Sequence, residues 1–273
     1  MEFRITPPQS VDHAVENLTG PLTQRIGATL SSFWDLMFGG VEAAAKKKQN
    51  ERNRKVELAE ELSKLEFIGE LRRRLEAIPP DKRSEPDTQI VGNALMDLRY
   101  CMDKEELREM FLNLLTSSCH SDTADDVLPS YSDIIRRMTV PDACNLKLFA
   151  EQKRLPIVHY QYTYQKGSET ALQNVFLSNP EYTDCRRQAI SISALERFGL
   201  LKVYEDTRYI DKSQYDYERF RRTDEYFRIK EAAEQDKQIK AVSIYETFAE
   251  ITPFGEGFSS ICLPEKTVPV IPK

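Results

Sequence analysis

Glycine is scarce in this sequence, with only ten residues in 273. Phosphate-binding loops, propeller blades and collagen-like repeats all depend on recurring glycine, so none of them is expected. No P-loop, dinucleotide fingerprint, nucleophile elbow or H-E-x-x-H pattern occurs, and the histidines His13, His120 and His159 lie far apart. We therefore predict a protein without catalytic residues, cofactor or metal, and an enzyme with an unrecognised site is the weakest alternative.

Paired cysteines and long apolar runs are also absent. The five cysteines have irregular spacing and no C-x-x-C pair, which fits neither a disulfide framework nor a zinc site. We expect reduced, mostly buried thiols in the cytoplasm. The first residues show no basic segment followed by an apolar run, and no stretch of about 18 apolar residues could span a membrane. Peripheral contact with the inner membrane stays open.

Neither acidic nor basic residues are scarce in the chain, but the two kinds are unevenly distributed along it. The chain has 38 Lys and Arg against 44 Asp and Glu, a net charge of −6 at pH 7, which argues against a surface built wholly for nucleic-acid phosphates. Residues 81–130 hold eleven acidic and five basic residues, whereas residues 46–55 hold six basic residues and one acidic residue. Contact with phosphates or lipid headgroups is therefore expected mainly at the short basic stretch.

Apolar residues recur every three or four positions through the first half of the chain, which predicts amphipathic helices. The predicted helical segments are Leu22 to Val41, Val56 to Ile78, a stripe from Ile90 to Leu98, about 104–118, Pro129 to Met138, and Val140 to about Gln152. Pro79 and Pro80 are expected to end the second of these. The sequence thus predicts an N-terminal helical domain.

The second half has a different texture. The β-branched and aromatic run Leu155 to Tyr164 favours a strand or an extended linker, and two further strands are predicted over Leu200 to Tyr204 and over Val242 to Ile251. Two helices are expected between Tyr182 and Phe198, ended by Gly199, and a last helix should begin with Thr252 as its N-cap. This order resembles a winged helix with a helical insertion at about 205–240.

The resulting fold class is mainly α, with an N-terminal helical domain followed by a C-terminal winged-helix-like α/β module that carries a helical insertion. The predicted divisions are an amphipathic segment at 1–45, a helical domain at 46–153, a linker or strand at 154–178, the winged-helix-like domain at 179–264 and a tail at 265–273.

Two groups of residues are candidates for binding. Arg186, Arg187 and Arg197 lie near the expected recognition helix, and since winged helices bind either DNA or protein, both kinds of partner remain open. The run Tyr215 to Arg222 interleaves aromatics with arginines, but charges over 211–240 balance, which favours a salt-bridged helix over base stacking.

The second group of candidate binding residues, after the three arginines, lies near the N-terminus. Phe33, Trp34 and Phe38 would form an apolar contact with a membrane or another subunit, bordered by the lysines Lys46, Lys47 and Lys48. The plainer alternative is a packed helix followed by a solvated charged one, and the sequence favours it.

Several phrases of the chain resemble those of the bacterial abortive-infection alpha family. They are EPDTQIVGNAL at 85–95, EELREMFLNLLTSS at 105–118, LPSYSDIIRRMTVPDA at 128–143, LERFGL at 195–200 and ITPFGEGF at 251–258. The phrases are structural in type, and the family offers no catalytic residue to carry over. Members often have a histidine where this chain has Leu128, so a role for that histidine does not transfer.

The resemblance implies a bacterial antiphage protein that arrests or kills the infected cell. We expect a non-enzymatic protein that contacts a protein partner or phage component, or forms homo-oligomers, through its N-terminal region and a winged-helix sensor module. A winged-helix regulator or sensor that binds nucleic acid is the alternative.

Overall fold

The computed structural model describes residues 63, 66–205 and 215–263. It contains helices and a four-stranded antiparallel sheet, which confirms the helical first half and an α/β second half. Two compact units divide the chain: one comprises Met1–Arg137 with Ile261–Lys273, and the other comprises Met138–Ser260. Each unit is described separately below.

The first unit is helical in its described part. Its helices are α1 at 66–77, α2 at Thr88–Leu98, α3 at Glu105–Ser118 and α4 at Ser130–Arg137. As the sequence predicts, α1 ends before Pro79. The side chain of Asp87 caps α2 by accepting a hydrogen bond from the Gln89 amide, and apolar stripes on the helices supply the core.

A polar network joins α1 to α3 within this unit. The Arg74 guanidinium donates hydrogen bonds to Glu70, Glu109 and Asn113 at 2.6–2.8 Å. Hydrogen bonds from Arg73 and Arg74 lower the pKa of Glu70 to about 2. These contacts are those expected of a structural ion-pair network between two packed helices.

The second unit begins with α5 at Val140–Gln152, where Thr139 and Asp142 form a capping box. Its strands are β1 at Arg154–Thr163, β2 at Ser168–Phe176, β3 at Leu201–Val203 and β4 at Ala241–Ile251. The sheet order is β2-β1-β4-β3, with all neighbours antiparallel. Its helices after α5 are α6 at Cys185–Arg197, α7 at Asp224–Glu234 and α8 at Pro253–Cys262, of which residues 253–260 belong to this unit.

The strands predicted from Leu155, from Leu200 and from Val242 are confirmed as β1, β3 and β4, and α8 begins next to Thr252 as expected. The winged-helix assignment is not confirmed. Where it needs two helices over 182–198, the chain forms the single helix α6, because Asp184 caps residue 185 onward and no breaker interrupts the helix before Gly199. Strand β2 also precedes α6, and the sequence pattern does not predict it as a separate strand.

The described part of the predicted insertion lies on the sheet. It contains a 3-10 helix at Glu218–Arg222 followed by α7. Phe220 and Ile229 are buried in a core cluster with Val158 and Tyr160 of β1. The Tyr160 hydroxyl donates to the Phe220 carbonyl at 2.7 Å, so a side chain of the sheet fixes the path of the insertion.

Candidate binding face of helix α6

One side of α6 is exposed and carries arginines around an isoleucine. We call Arg186, Arg187, Ile190 and Arg197 the basic face. Ile190 lies four residues after Arg186 and seven before Arg197, which places the three on one side of the helix. The Ile190 side chain is 69% exposed, whereas Gln188, Ser191 and other residues of the opposite side are buried.

Arg186 has a partner on α7. Its guanidinium lies 2.7 Å from the carboxylate of Glu225, a residue that is almost wholly buried. Arg228 contacts the same carboxylate at 3.3 Å, while the side chains of both arginines remain largely exposed. Since a buried carboxylate needs compensating partners, Arg186 has a structural role in holding α7 as well as a place on the surface.

Arg187 is more accessible than Arg186, with its side chain 83% exposed against 63%. It forms an ion pair at 3.8 Å with Asp184, whose carboxylate also accepts hydrogen bonds from the Arg186 and Arg187 amides. Arg197 is exposed and its guanidinium lies 5.5 Å from the centre of the Phe198 ring. The structure thus places all three predicted arginines on one exposed helix side.

A buried polar network fixes the inner side of α6. Asn145 of α5 donates hydrogen bonds to Gln188 at 2.6 Å and to Ser191 at 2.9 Å, and it accepts one from Asn179 at 2.7 Å. Because buried hydrogen bonds of this kind require one arrangement, they lock the rotation of α6 about its axis. The orientation of the basic face is therefore fixed by contacts within this unit.

Directly after α6, the sequence phrases LERFGL at 195–200 and ITPFGEGF at 251–258 come into close contact. The Thr252 hydroxyl donates to the Gly199 carbonyl at 2.6 Å and accepts from the Gly255 amide at 2.9 Å. Gly199 has φ of +76°, and a Cβ built on Gly255 would lie 2.1 Å from the Leu200 carbonyl oxygen. These glycines are therefore required by backbone geometry, which explains why the phrases LERFGL and ITPFGEGF are structural.

Apart from the basic face, the side chains best suited to catalysis or metal binding lie in environments typical of structural residues. In the described part of the chain, no group of three or more His, Cys, Asp or Glu side chains could hold a metal ion. His120 accepts a hydrogen bond at Nδ1 from the Asp122 amide, and Asp122 pairs with Lys82. Burial raises the pKa of Cys119 to about 11, which suppresses the thiolate form needed for nucleophilic attack.

Six of the predicted site residues lie outside the part of the chain that the structure describes. Three residues of the candidate site were not predicted from the sequence. Phe33, Trp34, Phe38, Lys46, Lys47 and Lys48 fall outside the described residues. Ile190, Glu225 and Arg228 were not predicted as part of a site. An isoleucine on the polar side of an amphipathic helix was the one available sequence signal. Between residues 66 and 263, excluding 206–214, no helix is long and apolar enough to cross a membrane.

The fold and this face define a helical protein with an α/β unit that presents a fixed, exposed helix surface. The model of the family "Abortive infection alpha" matches residues 58–262. The chain belongs to the abortive infection alpha family, and this membership suggests an abortive-infection role.

No curated protein matches the chain significantly. Among solved structures, it is similar to an uncharacterized protein from the hydrocarbon-degrading marine bacterium Alcanivorax borkumensis SK2. The identity is 19%, the match covers 48% of this chain and 90% of the other, and the TM-score is 0.33.

Proposed function

We propose that the protein acts in abortive infection as a binding protein, and that the basic face of α6 is the surface that recognises its partner. The main supporting observation is that Ile190 is 69% exposed and is surrounded by Arg186, Arg187 and Arg197. The opposite side of the helix is fixed by buried hydrogen bonds to Asn145. Exposed apolar residues bordered by arginine are typical of recognition surfaces.

A non-enzymatic mechanism is part of this proposal. It is supported by the hydrogen bond that His120 accepts from the Asp122 amide, by the burial of the Cys119 thiol, and by the lack of familiar catalytic motifs in the sequence. The N-terminal region, with Phe33, Trp34 and Phe38 beside Lys46, Lys47 and Lys48, is proposed as the effector or oligomerisation segment. Partner recognition by α6 would then be separate from the event that stops the infected cell.

Phage yield and host survival test this division of roles. Cells producing the intact chain should release fewer phage per infected cell than cells without it. Deletion of residues 1–45 should abolish the protection while leaving the second unit folded. The double variant Arg187→Glu/Ile190→Asp should abolish protection as well, because it reverses the charge and polarity of the basic face.

A matched control changes one basic and one aliphatic residue elsewhere to the same acidic residues. Lys166 and Leu128 are exposed and lie outside the basic face, so Lys166→Glu/Leu128→Asp should protect like the intact chain. Equal phage yield with and without the intact chain, over a panel of phages, would reject the defence role. Full protection by Arg187→Glu/Ile190→Asp would reject the basic face as the recognition surface.

A further inference from the structure

We infer that the partner of the basic face is a protein segment that combines acidic and apolar side chains, and that it is not a nucleic acid. This inference rests on the proposed function, since it concerns the same surface. It answers the question that the arginines alone leave open, because both phosphates and carboxylates pair with arginine.

The exposed apolar residues of this unit support a protein partner. In its described part, the large apolar side chains that are exposed are Ile190 of α6 and Phe227 of α7, at 69% and 51%. Arg186 and Arg228 bind the same Glu225 carboxylate, so one ion-pair cluster joins the two helices that carry them. A protein segment with its own apolar side chain gains free energy by covering Ile190, whereas a phosphate backbone gains nothing there.

The charge of the cluster also argues against a polyanion. The arginines Arg186, Arg187, Arg197 and Arg228 stand against the carboxylates Asp184, Glu196 and Glu225, which leaves a net charge of +1 over these seven side chains. Nucleic-acid affinity grows with the number of phosphates that cations neutralise, and a surplus of one charge supports little of it. One or two carboxylates, by contrast, suit this surplus.

The expected occupant follows from this arrangement. An apolar side chain of the partner covers Ile190, and a neighbouring Asp or Glu pairs with Arg187, whose side chain is more exposed than those of Arg186 and Arg228. Arginine forms two parallel hydrogen bonds with a carboxylate, which gives the contact a defined direction. Since Arg186 is already engaged with Glu225, Arg187 and Ile190 are the residues on which the partner's affinity should depend most.

Selection from a random linear peptide library against the purified full chain tests the inference. Selected peptides should combine Asp or Glu with Leu, Ile or Phe, and a synthetic consensus peptide should bind measurably. Ile190→Asp and Arg187→Glu should each weaken that binding by about tenfold or more, equivalent to about 1.4 kcal/mol, whereas Lys166→Glu should leave it unchanged. Ile190→Ala, with circular dichroism of each variant, separates loss of contact from loss of fold.

Three results would overturn the inference. They are selection of no binding peptide, binding that ignores both substitutions, and Arg187-dependent binding of duplex DNA that falls steeply with salt. The infection assay distinguishes this failure from failure of the proposed function. If Arg187→Glu/Ile190→Asp still abolishes protection, the face is functional and only the chemistry of its partner is wrong.

Discussion

Arg186 of α6 and Glu225 of α7 form an ion pair of 2.7 Å in which the carboxylate is buried and the guanidinium is largely exposed. The residues are 39 positions apart in the chain, and their contact holds the insertion helix against the helix that carries the basic face. Arg186 therefore differs from its neighbour Arg187, although the sequence presents them as equivalent. Substitutions at Arg186 test stability and binding together, whereas those at Arg187 test binding.

The two arginines should differ in urea unfolding. Arg186→Ala should lower the free energy of unfolding by about 1–3 kcal/mol, because Glu225 loses one of its two partners while remaining buried. Arg187→Ala should change it by less than about 0.5 kcal/mol, because the side chain is exposed and its ion pair is long. Equal effects of the two substitutions would contradict the structural role given to Arg186.

Two glycines should respond to alanine with opposite signs. Gly255→Ala should destabilise the protein by about 1–3 kcal/mol or more, because its new methyl group would meet the Leu200 carbonyl. Gly69→Ala should stabilise it by about 0.5–1 kcal/mol, since Gly69 is exposed in α1 with no atom near the added methyl group. Thermal unfolding of both variants measures the contrast, and a neutral Gly255→Ala would refute the close contact.

His159 should make the stability depend on pH. Burial lowers its pKa from the ordinary 6.5, an effect that Glu205 partly opposes, and its Nδ1 accepts a hydrogen bond from the Asn174 amide. As pH falls below 6.5 the unfolded chain takes up a proton that the folded chain resists, so this contribution to stability is lost. Above 6.5 both states hold neutral His159 and the contribution is complete.

Urea unfolding at a series of pH values checks this dependence. Removal of the titrating ring in His159→Gln should flatten the decline in stability between about pH 7 and pH 5. Asp122 and Glu70 titrate at lower pH because cationic partners lower their pKa, so they do not account for a change in this window. An unaltered decline in His159→Gln would exclude His159 as its source.

The cysteines should differ sharply in reactivity. Cys101, Cys119, Cys185 and Cys262 are buried and burial raises the pKa of each, whereas Cys144 is partly exposed. A thiol reagent should therefore modify Cys144 first in the native protein and all five thiols after denaturation. Cys144→Ser should remove the rapid phase, and a rapid phase that persists in this variant would contradict the described burial.

Local signals made much of the fold predictable. The proline pair after α1, the capping box of α5, the aromatic run of β1 and the Thr252 cap of α8 are each encoded within a few residues. Strand β2 escaped prediction because its exposed first half is polar and pairing with β1 sustains it. The turn expected within 182–198 does not form, because that segment contains no glycine or proline to break the helix. The prediction of a turn there depended on similarity to the winged-helix fold.

The candidate site was predictable only in part. Sequence identified Arg186, Arg187 and Arg197, because their spacing and charge are local. It could not identify Glu225, whose relevance depends on a contact made across 39 residues, nor could it separate Arg186 from Arg187. The exposure of Ile190 likewise depends on which side of α6 faces Asn145, a choice made by tertiary packing.

The most direct test of the basic face is the plating efficiency of phage on cells that contain equal amounts of each chain. We expect Lys166→Glu/Leu128→Asp to restrict plating like the intact chain, whereas Arg187→Glu/Ile190→Asp should allow plating as on cells without the protein. Restriction by Arg187→Glu/Ile190→Asp equal to that of the intact chain would show that defence does not depend on the basic face.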